Sequence, residues 1–345
     1  MKTLKWIVIA LLVSACSNET IQTNGIGVVS MNSNLSSEDP LENYISEYEA
    51  IYKLGSRGAQ TAAPWSSLNP TELQYDLGAL NNPYFGISKL KDLGFEEVLL
   101  NIPIVALSER KMPTDIASLT FNDPIVKERI HQMIEQLSPF LPSVTYLALG
   151  NEVDTYFNSH QSEWLAFVEL INDARTYIKN KYPQLQIGVT TTFDGYSHVQ
   201  KDFVITLNKE MDVVILTYYP TTSGFMVKSP ETVQADVELM VDLSEGKPVV
   251  LQEAGYPSSS ALGSSESLQD QFVQNIFNVW RKQGNQKIPF ISFFKYRDWS
   301  PSFVQQFTGQ SSGQPFYEFM SSLGLVRHDQ SAKPAIETLK NELKK

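Results

Sequence analysis

Two short stretches carry the residue types that could do chemistry. The apolar run Tyr146, Leu147, Ala148, Leu149 leads through Gly150 into Asn151 and Glu152, and the run Val249, Val250, Leu251 leads into Gln252 and Glu253. Two carboxylates that face one another suit the cleavage of a glycosidic bond. One, kept protonated, helps the leaving oxygen depart, and the other, kept ionised, meets the oxocarbenium-like carbon. Their surroundings must then differ: burial and a neighbouring charge raise the acid's pKa, while hydrogen-bond donors keep its partner charged. As isolated glutamates, the same two residues could equally serve in structural ion pairs. Other chemistries have less to build on. His131, His160, His198 and His328 form no HExxH pattern, and the single cysteine, Cys16, forms no CxxC pair, so neither a metal site nor a cofactor is expected. No glycine-rich phosphate loop follows a strand, and Ser258, Ser259 and Ser260 lack the spacing of a nucleophile elbow.

Both glutamates sit just beyond apolar runs, and the rest of the 345-residue chain repeats that arrangement. Candidate strands lie at 26–30, 58–63, 97–102, 145–149, 187–191, 213–217, 248–251 and 290–294. Between them, apolar residues recur at spacings of three and four, which predicts helices over 41–53, 83–93, 124–137, 163–181, 230–243, 267–282, 315–323 and 332–345. In the helix over 124–137, Ile125, Ile130, Met133, Ile134 and Leu137 are expected to share the buried side, with Asn122 or Asp123 at the start; Ser229 is expected to cap the helix over 230–243. Eight strand-helix units predict an α/β fold, a (β/α)₈ TIM barrel in one domain spanning 26–345. Function then belongs at the C-terminal ends of the strands. Asp154 and Asp194, after the fourth and fifth strands, either line that rim or cap the helices that follow, and capping is the favoured reading.

With strands counted this way, the chain resembles the clan A glycoside hydrolases, whose fourth barrel strand ends in Asn-Glu and whose seventh ends in Glu. The resemblance runs over most of the mature chain and is specific at the ends of strands four, six, seven and eight. It implies that Glu152 is the general acid/base, that Glu253 is the nucleophile of a retaining mechanism, and that Asn151 bonds the sugar hydroxyl beside the reacting carbon. It also implies that a tyrosine after strand six bonds the nucleophile, with Tyr218 the first choice and Tyr219 the second. Trp299, after strand eight, matches the clan's aromatic sugar platform, and Trp65, after strand two, is a further candidate for stacking on sugar. The clan's arginine near the end of strand two has no counterpart: Arg57 stands at that strand's start, leaving Gln60 or Arg297 as substitutes. Thr217-Tyr218-Tyr219-Pro220 is similar to endo-β-1,4-galactanases, and Glu253-Ala254-Gly255-Tyr256-Pro257-Ser258 to endo-β-1,3-glucanases. The implied activity is endo-cleavage of a β-linked glycan. A glycan-binding lipoprotein without turnover, or a transglycosylase on the same barrel, are the alternatives.

Composition and the N-terminus set the context. A net charge of −11 argues against nucleic acid as a partner and suits a neutral carbohydrate. Lys2 and Lys5 precede an apolar stretch too short to span a bilayer, and Leu12-Val13-Ser14-Ala15-Cys16 resembles a bacterial lipoprotein signal. Residues 1–16 are therefore expected to be a signal ending at a lipidated Cys16, and 17–25 a polar tether. The expected setting is a monomer anchored by its lipid to the bacterial cell envelope, at the outer membrane. With no second cysteine, core packing rather than disulfides must hold the fold.

Overall fold

The computed structural model describes residues 27–31 and 39–345. The expected signal, Cys16, the tether and the first residue of the first predicted strand lie outside the described residues.

Among the described residues eleven strands occur in chain order: β1 Val28–Met31, β2 Gly58–Ala62, β3 Glu97–Asn101, β4 Val105–Ala106, β5 Glu109–Arg110, β6 Tyr146–Ala148, β7 Gln186–Gly188, β8 Thr190–Thr192, β9 Val214–Tyr218, β10 Val249–Ala254 and β11 Phe290–Phe293. β4 and β5 form a small antiparallel hairpin, and the other nine make one parallel sheet in the order β7-β6-β3-β2-β1-β11-β10-β9-β8. The two ends of that order are one stave of the barrel. β7 pairs with β6, β8 pairs with β9, and Val189 alone separates them, so the predicted fifth strand is broken in the middle and closes the ring through its own chain. The result is the expected (β/α)₈ barrel.

Three apolar layers hold it. Leu99, Tyr146, Ala148, Val213, Ile215, Val250 and Phe290 fill the lumen. Gly58 is required there, since a Cβ at that position would stand 2.6 Å from the Phe290 ring. A larger layer packs the outward residues of the strands against the surrounding helices. A third, including Phe294, Trp299, Phe319 and Leu323, sits above the C-terminal end of β11.

The predicted helices are present with adjusted ends. The segment over 83–93 shortens to Ile87–Asp92, and the β4–β5 hairpin and the helices Trp65–Leu68, Val153–Phe157, Lys201–Asn208 and Pro301–Thr308 were not anticipated. In the helix Pro124–Gln136, Asp123 is the cap, its Oδ1 accepting from the Ile125 amide. Ile125 does not face the core and is 55% exposed. Five residues at 100° each put it about 140° from Ile130, and Val126 takes the buried position instead. Ser229 Oγ accepts from the Glu231 amide just ahead of the helix Thr232–Leu243.

Candidate active site

The fourth and seventh staves deliver their glutamates by different local devices. After β6, Glu152 adopts φ 50° and ψ 46°, a left-handed conformation that costs a non-glycine residue about 1 kcal/mol or more. The β4–β5 hairpin holds the backbone there: Asn151 N donates to Val105 O at 2.9 Å, Leu107 N to Asn151 O at 2.9 Å, and Thr155 Oγ1 to Leu107 O at 2.6 Å. In β10 a bulge does the positioning. Leu251 pairs with Leu216 and Glu253 with Thr217, which leaves Gln252 as the extra residue. Strict alternation would turn one of Gln252 and Glu253 away from the lumen. With the bulge, both line the cleft over the barrel mouth.

Alternation also decides between the two tyrosines. Along β9, Ile215 points into the lumen, Thr217 bonds Glu152, and Tyr218 points outward, where its hydroxyl donates to Asp236 of the helix Thr232–Leu243 at 2.7 Å. Tyr218 is fully buried, so the first-choice assignment gives way to the second. Tyr219 Oη donates to Glu253 Oε2 at 2.5 Å. Burial and the facing Glu253 hold the Tyr219 hydroxyl well above its ordinary pKa, so it remains a donor.

Glu152 and Glu253 line one cavity of about 560 Å³, and their electrostatics differ. Burial, the charge of Glu253 and, more weakly, Asp154 push Glu152 up to about 8, opposed by a single donor, Thr217 Oγ1 at 2.7 Å. Burial also raises Glu253, but the Tyr219 hydroxyl and Gln252 pull it back toward the ionised form. The pair is therefore unequal: Glu152 is the member held protonated at neutral pH, and the donors gathered at Glu253 favour its ionised form.

Asn151 is fixed by a relay of amides. Its Oδ1 accepts from Asn101 Nδ2 at 2.9 Å and from Gln252 Nε2 at 2.7 Å, while Gln252 Oε1 accepts from Thr190 Oγ1 at 2.7 Å. With the oxygen so engaged, the Asn151 NH₂ is the end left to donate to a ligand. Asn101, Thr217 and Gln252 were not singled out from sequence, although each is a polar residue closing an apolar run, the pattern that identified the glutamates.

The remaining candidates separate. Trp299 lines the cleft, with Lys295 Nζ 3.2 Å from its ring centroid. Trp65 does not: it has no exposed surface and packs in the layer between strands and helices, because it opens the short helix Trp65–Leu68 with its ring turned inward. Arg57 lies at the opposite end of β2, bonding Tyr52 O and Ser56 O, and Arg297 is taken up by Asp39 and Glu47. Gln60 alone of the arginine substitutes reaches the site, lining a second cavity of about 340 Å³ that shares Asn151, Glu253 and Phe294 with the first. Neither aspartate's side chain bonds a helix start, although Asp194 stands at the N-cap position of the helical segment Gly195–Val199. Asp154 is buried and accepts from Thr192 N at 2.8 Å and Thr192 Oγ1 at 2.6 Å, clamping the end of β8, while Asp194 lines the cleft, 4.0 Å from Lys228 Nζ. Among the described residues, no group of three or more His, Cys, Asp or Glu is gathered to hold a metal, and no helix is long and apolar enough to cross a membrane.

No family model matches the sequence, and no curated protein matches it. Solved structures do match the fold. A variant of the GH5_18 protein of Streptomyces cattleya, in complex with Manβ1-4GlcNAc, superposes with a TM-score of 0.71 at 14% identity, over 92% of this chain and 80% of that one. The exo-β-1,4-mannosidase Op5Man5 of Opitutaceae bacterium strain TAV5 gives 0.70 at 18% identity, over 92% of this chain and 59% of that one. The β-glycosidase BGL167 gives 0.67 at 12% identity, over 94% and 96%. At these identities the likeness is one of fold: the chain has the (β/α)₈ barrel of the clan A glycoside hydrolases that it resembles at its strand ends.

Proposed function

We infer that this chain is a retaining β-glycoside hydrolase in which Glu152 is the acid/base and Glu253 the nucleophile. The observation that carries this reading is the unequal pair: two glutamates on one cleft, one held protonated by burial and its neighbour's charge, the other supplied with donors by Tyr219 and Gln252. Glu253 attacks the anomeric carbon while Glu152 gives its proton to the departing oxygen. Forming the ester removes the charge of Glu253, which is the second-largest cause of the raised Glu152 pKa. The pKa of Glu152 then falls, and the same group can take a proton from the water that cleaves the ester. The Asn151 NH₂ donates to the hydroxyl beside the reacting carbon.

The test is Glu253→Ala. Hydrolysis should be abolished while ligand binding persists, and azide should restore part of the turnover by replacing the nucleophile. Unchanged hydrolysis in that variant would exclude the assignment. The sugar is to be found by screening β-glucans, galactans, xylans and mannans. β-Mannosides deserve inclusion because an exo-β-1,4-mannosidase and a Manβ1-4GlcNAc-bound protein share the barrel. Release of oligosaccharides would support the endo action expected from sequence, and NMR of the first-formed anomer tests retention. Attachment of the enzyme to an envelope membrane through Cys16 is part of the same proposal, tested by metabolic labelling with a radioactive fatty acid and its loss in Cys16→Ala.

A further inference from the structure

The two cavities that meet at Glu253 differ in their polar lining. The smaller one sets the amides Gln60, Asn101, Asn151 and Gln252 among the aromatic rings of Tyr44, Tyr48 and Phe85. Among the described residues, Gln60 Oε1 and Asn101 Oδ1 are buried without a protein partner, so this lobe offers acceptors as well as the Asn151 donor. It does not include Glu152. The larger lobe does, and its outer wall is Phe225, Trp299, Phe303, Phe307, Phe316 and Phe319.

Position relative to the pair says what each lobe holds. The acid protonates the leaving oxygen, so the leaving group lies on the side of Glu152, and the sugar that becomes bound to Glu253 lies on the side of the amides. This assignment rests on the reading of Glu152 as the acid. The leaving-group side is therefore the larger lobe.

An aromatic wall could also stack on sugar, but a sugar brings several hydroxyls that need partners once water is excluded. Few are offered here. Thr217 and Tyr219 are committed to the glutamates and Thr192 to Asp154, which leaves Thr221 and the Asn151 amide that this lobe shares with the smaller one. Beyond the catalytic pair, Asp194 is the one charged side chain among the lining residues, and it faces Lys228. The wall itself is a built apolar surface: Phe225 stands 5.4 Å from Phe316 and 4.9 Å from Phe319, and Trp299 stands 4.9 Å from Phe303 and 5.1 Å from Phe307. It continues to the mouth, where Phe307 is 54% exposed and Leu107, also lining the cavity, is 52% exposed. Exposed apolar area of this kind, continuous with a catalytic cleft, marks a surface that an apolar ligand covers.

We propose that the leaving group of the substrate is an apolar alcohol, so that the enzyme removes a β-linked sugar from a hydrophobic aglycone rather than from further sugar units. The bond broken is that between the anomeric carbon and the aglycone oxygen; the alcohol leaves with the proton of Glu152, and water supplies hydroxyl to the sugar and a proton back to Glu152.

The experiment compares methyl and octyl β-glycosides of glucose, galactose, mannose, xylose and N-acetylglucosamine, below micellar concentrations, with β1-4 disaccharides of the same sugars. Methyl and octyl alcohols are leaving groups of similar reactivity, so their ratio reads the aglycone lobe. With the accepted sugar, kcat/KM for the octyl glycoside should exceed that for the methyl glycoside by about 100-fold, the effect of transferring a few methylenes from water, and should also exceed that of the disaccharide. Phe307→Ser and Phe303→Ser should each reduce the octyl-to-methyl ratio about tenfold, with unchanged circular dichroism and melting temperature establishing that the more exposed Phe307 variant is folded. A ratio near one, or a disaccharide cleaved faster than the octyl glycoside, overturns the proposal. If Glu253→Ala is inactive in that case, only the aglycone assignment fails; if Glu253→Ala still hydrolyses the probes, the reading of the catalytic pair fails with it. No turnover of any probe overturns both. A glycosyl diacylglycerol in phosphatidylglycerol vesicles and a soluble cyclohexylmethyl glycoside separate the sources: faster turnover of the first assigns a membrane glycolipid, and of the second a soluble glycoside, each supporting the apolar lobe.

Discussion

The Tyr219 hydroxyl donates to Oε2 of Glu253 across 2.5 Å, from the first residue beyond β9. One position earlier, Tyr218 points through the barrel wall to Asp236. Adjacent residues with one chemistry thus serve the cleft and the scaffold, and substitution should separate them. Tyr219→Phe removes a donor that favours ionised Glu253, so the Glu253 pKa rises and the acidic limb of the kcat/KM profile moves to higher pH. Activity at the optimum should fall by about 100-fold, the loss typical of one donor at a charged reacting group. Tyr218→Phe should leave the pH profile in place and cost about 1 kcal/mol of stability through the lost bond to Asp236, measured by urea denaturation.

Why Glu152 and Glu253 are legible in the sequence and their supports are not follows from the geometry. The glutamates close long apolar runs, and counting strands places them on staves four and seven. The choice between Tyr218 and Tyr219 turns on where β9 ends, and one residue reverses the face. Alternation from Val250, a lumen residue, already turns Gln252 inward, and the bulge in β10 brings Glu253 to the same side beside it, a one-residue insertion that an apolar run does not announce. Trp65 and Trp299 have the same residue type just after a strand, yet Trp65 is turned under the rim and Trp299 over it. The aromatic wall draws on residues from separate segments, Phe225 and the helices Pro301–Thr308 and Pro315–Ser321, whose meeting is a property of the fold alone.

The pH dependence follows from Glu152. A general acid held near 8 is protonated at neutral pH, so kcat/KM should decline as pH rises through about 8. The limb should disappear in Glu152→Gln when a substrate with an activated leaving group, which needs no proton, is used. Stability runs the same way. The folded pKa exceeds the unfolded carboxyl value of about 4.3, so between these pH values the folded state binds more protons than the unfolded one and this group's contribution to stability declines as pH rises. Glu152→Gln removes the buried charge, and its melting temperature should gain on the parent as pH rises from 5 toward 8. Parallel melting curves for the two proteins across that range would refute the assignment of a raised pKa.

Gln252 is a positioning residue, holding Asn151 so that its NH₂ faces the ligand. Gln252→Leu frees the Asn151 amide to rotate and also strips a donor from the surroundings of Glu253. With the full substrate, kcat/KM should fall by about 10- to 100-fold. A merely structural role would lower activity toward every substrate alike. If the amide relay acts through the hydroxyl beside the reacting carbon, the 2-deoxy glycoside should lose distinctly less, since it has no hydroxyl there for Asn151 to address.

The two tryptophans give the sharpest contrast between stability and function. Trp65 is fully buried, and its Nε1 has no hydrogen-bond partner among the described residues. Trp65→Ala should cost about 3–5 kcal/mol, the usual penalty for emptying a large aromatic site, read as a lower urea midpoint with the slope unchanged. Trp65→Phe keeps most of the packing and removes the unpartnered N–H, so it should recover the greater part of that loss. Below its unfolding transition, either variant should retain the kcat/KM of the parent, because Trp65 touches none of the cleft. Trp299 packs between Lys295 and the rings of Phe303 and Phe307 at the edge of the cleft. Trp299→Ala should therefore lower kcat/KM in protein that is still folded, and a loss explained wholly by unfolding would remove Trp299 from the binding surface.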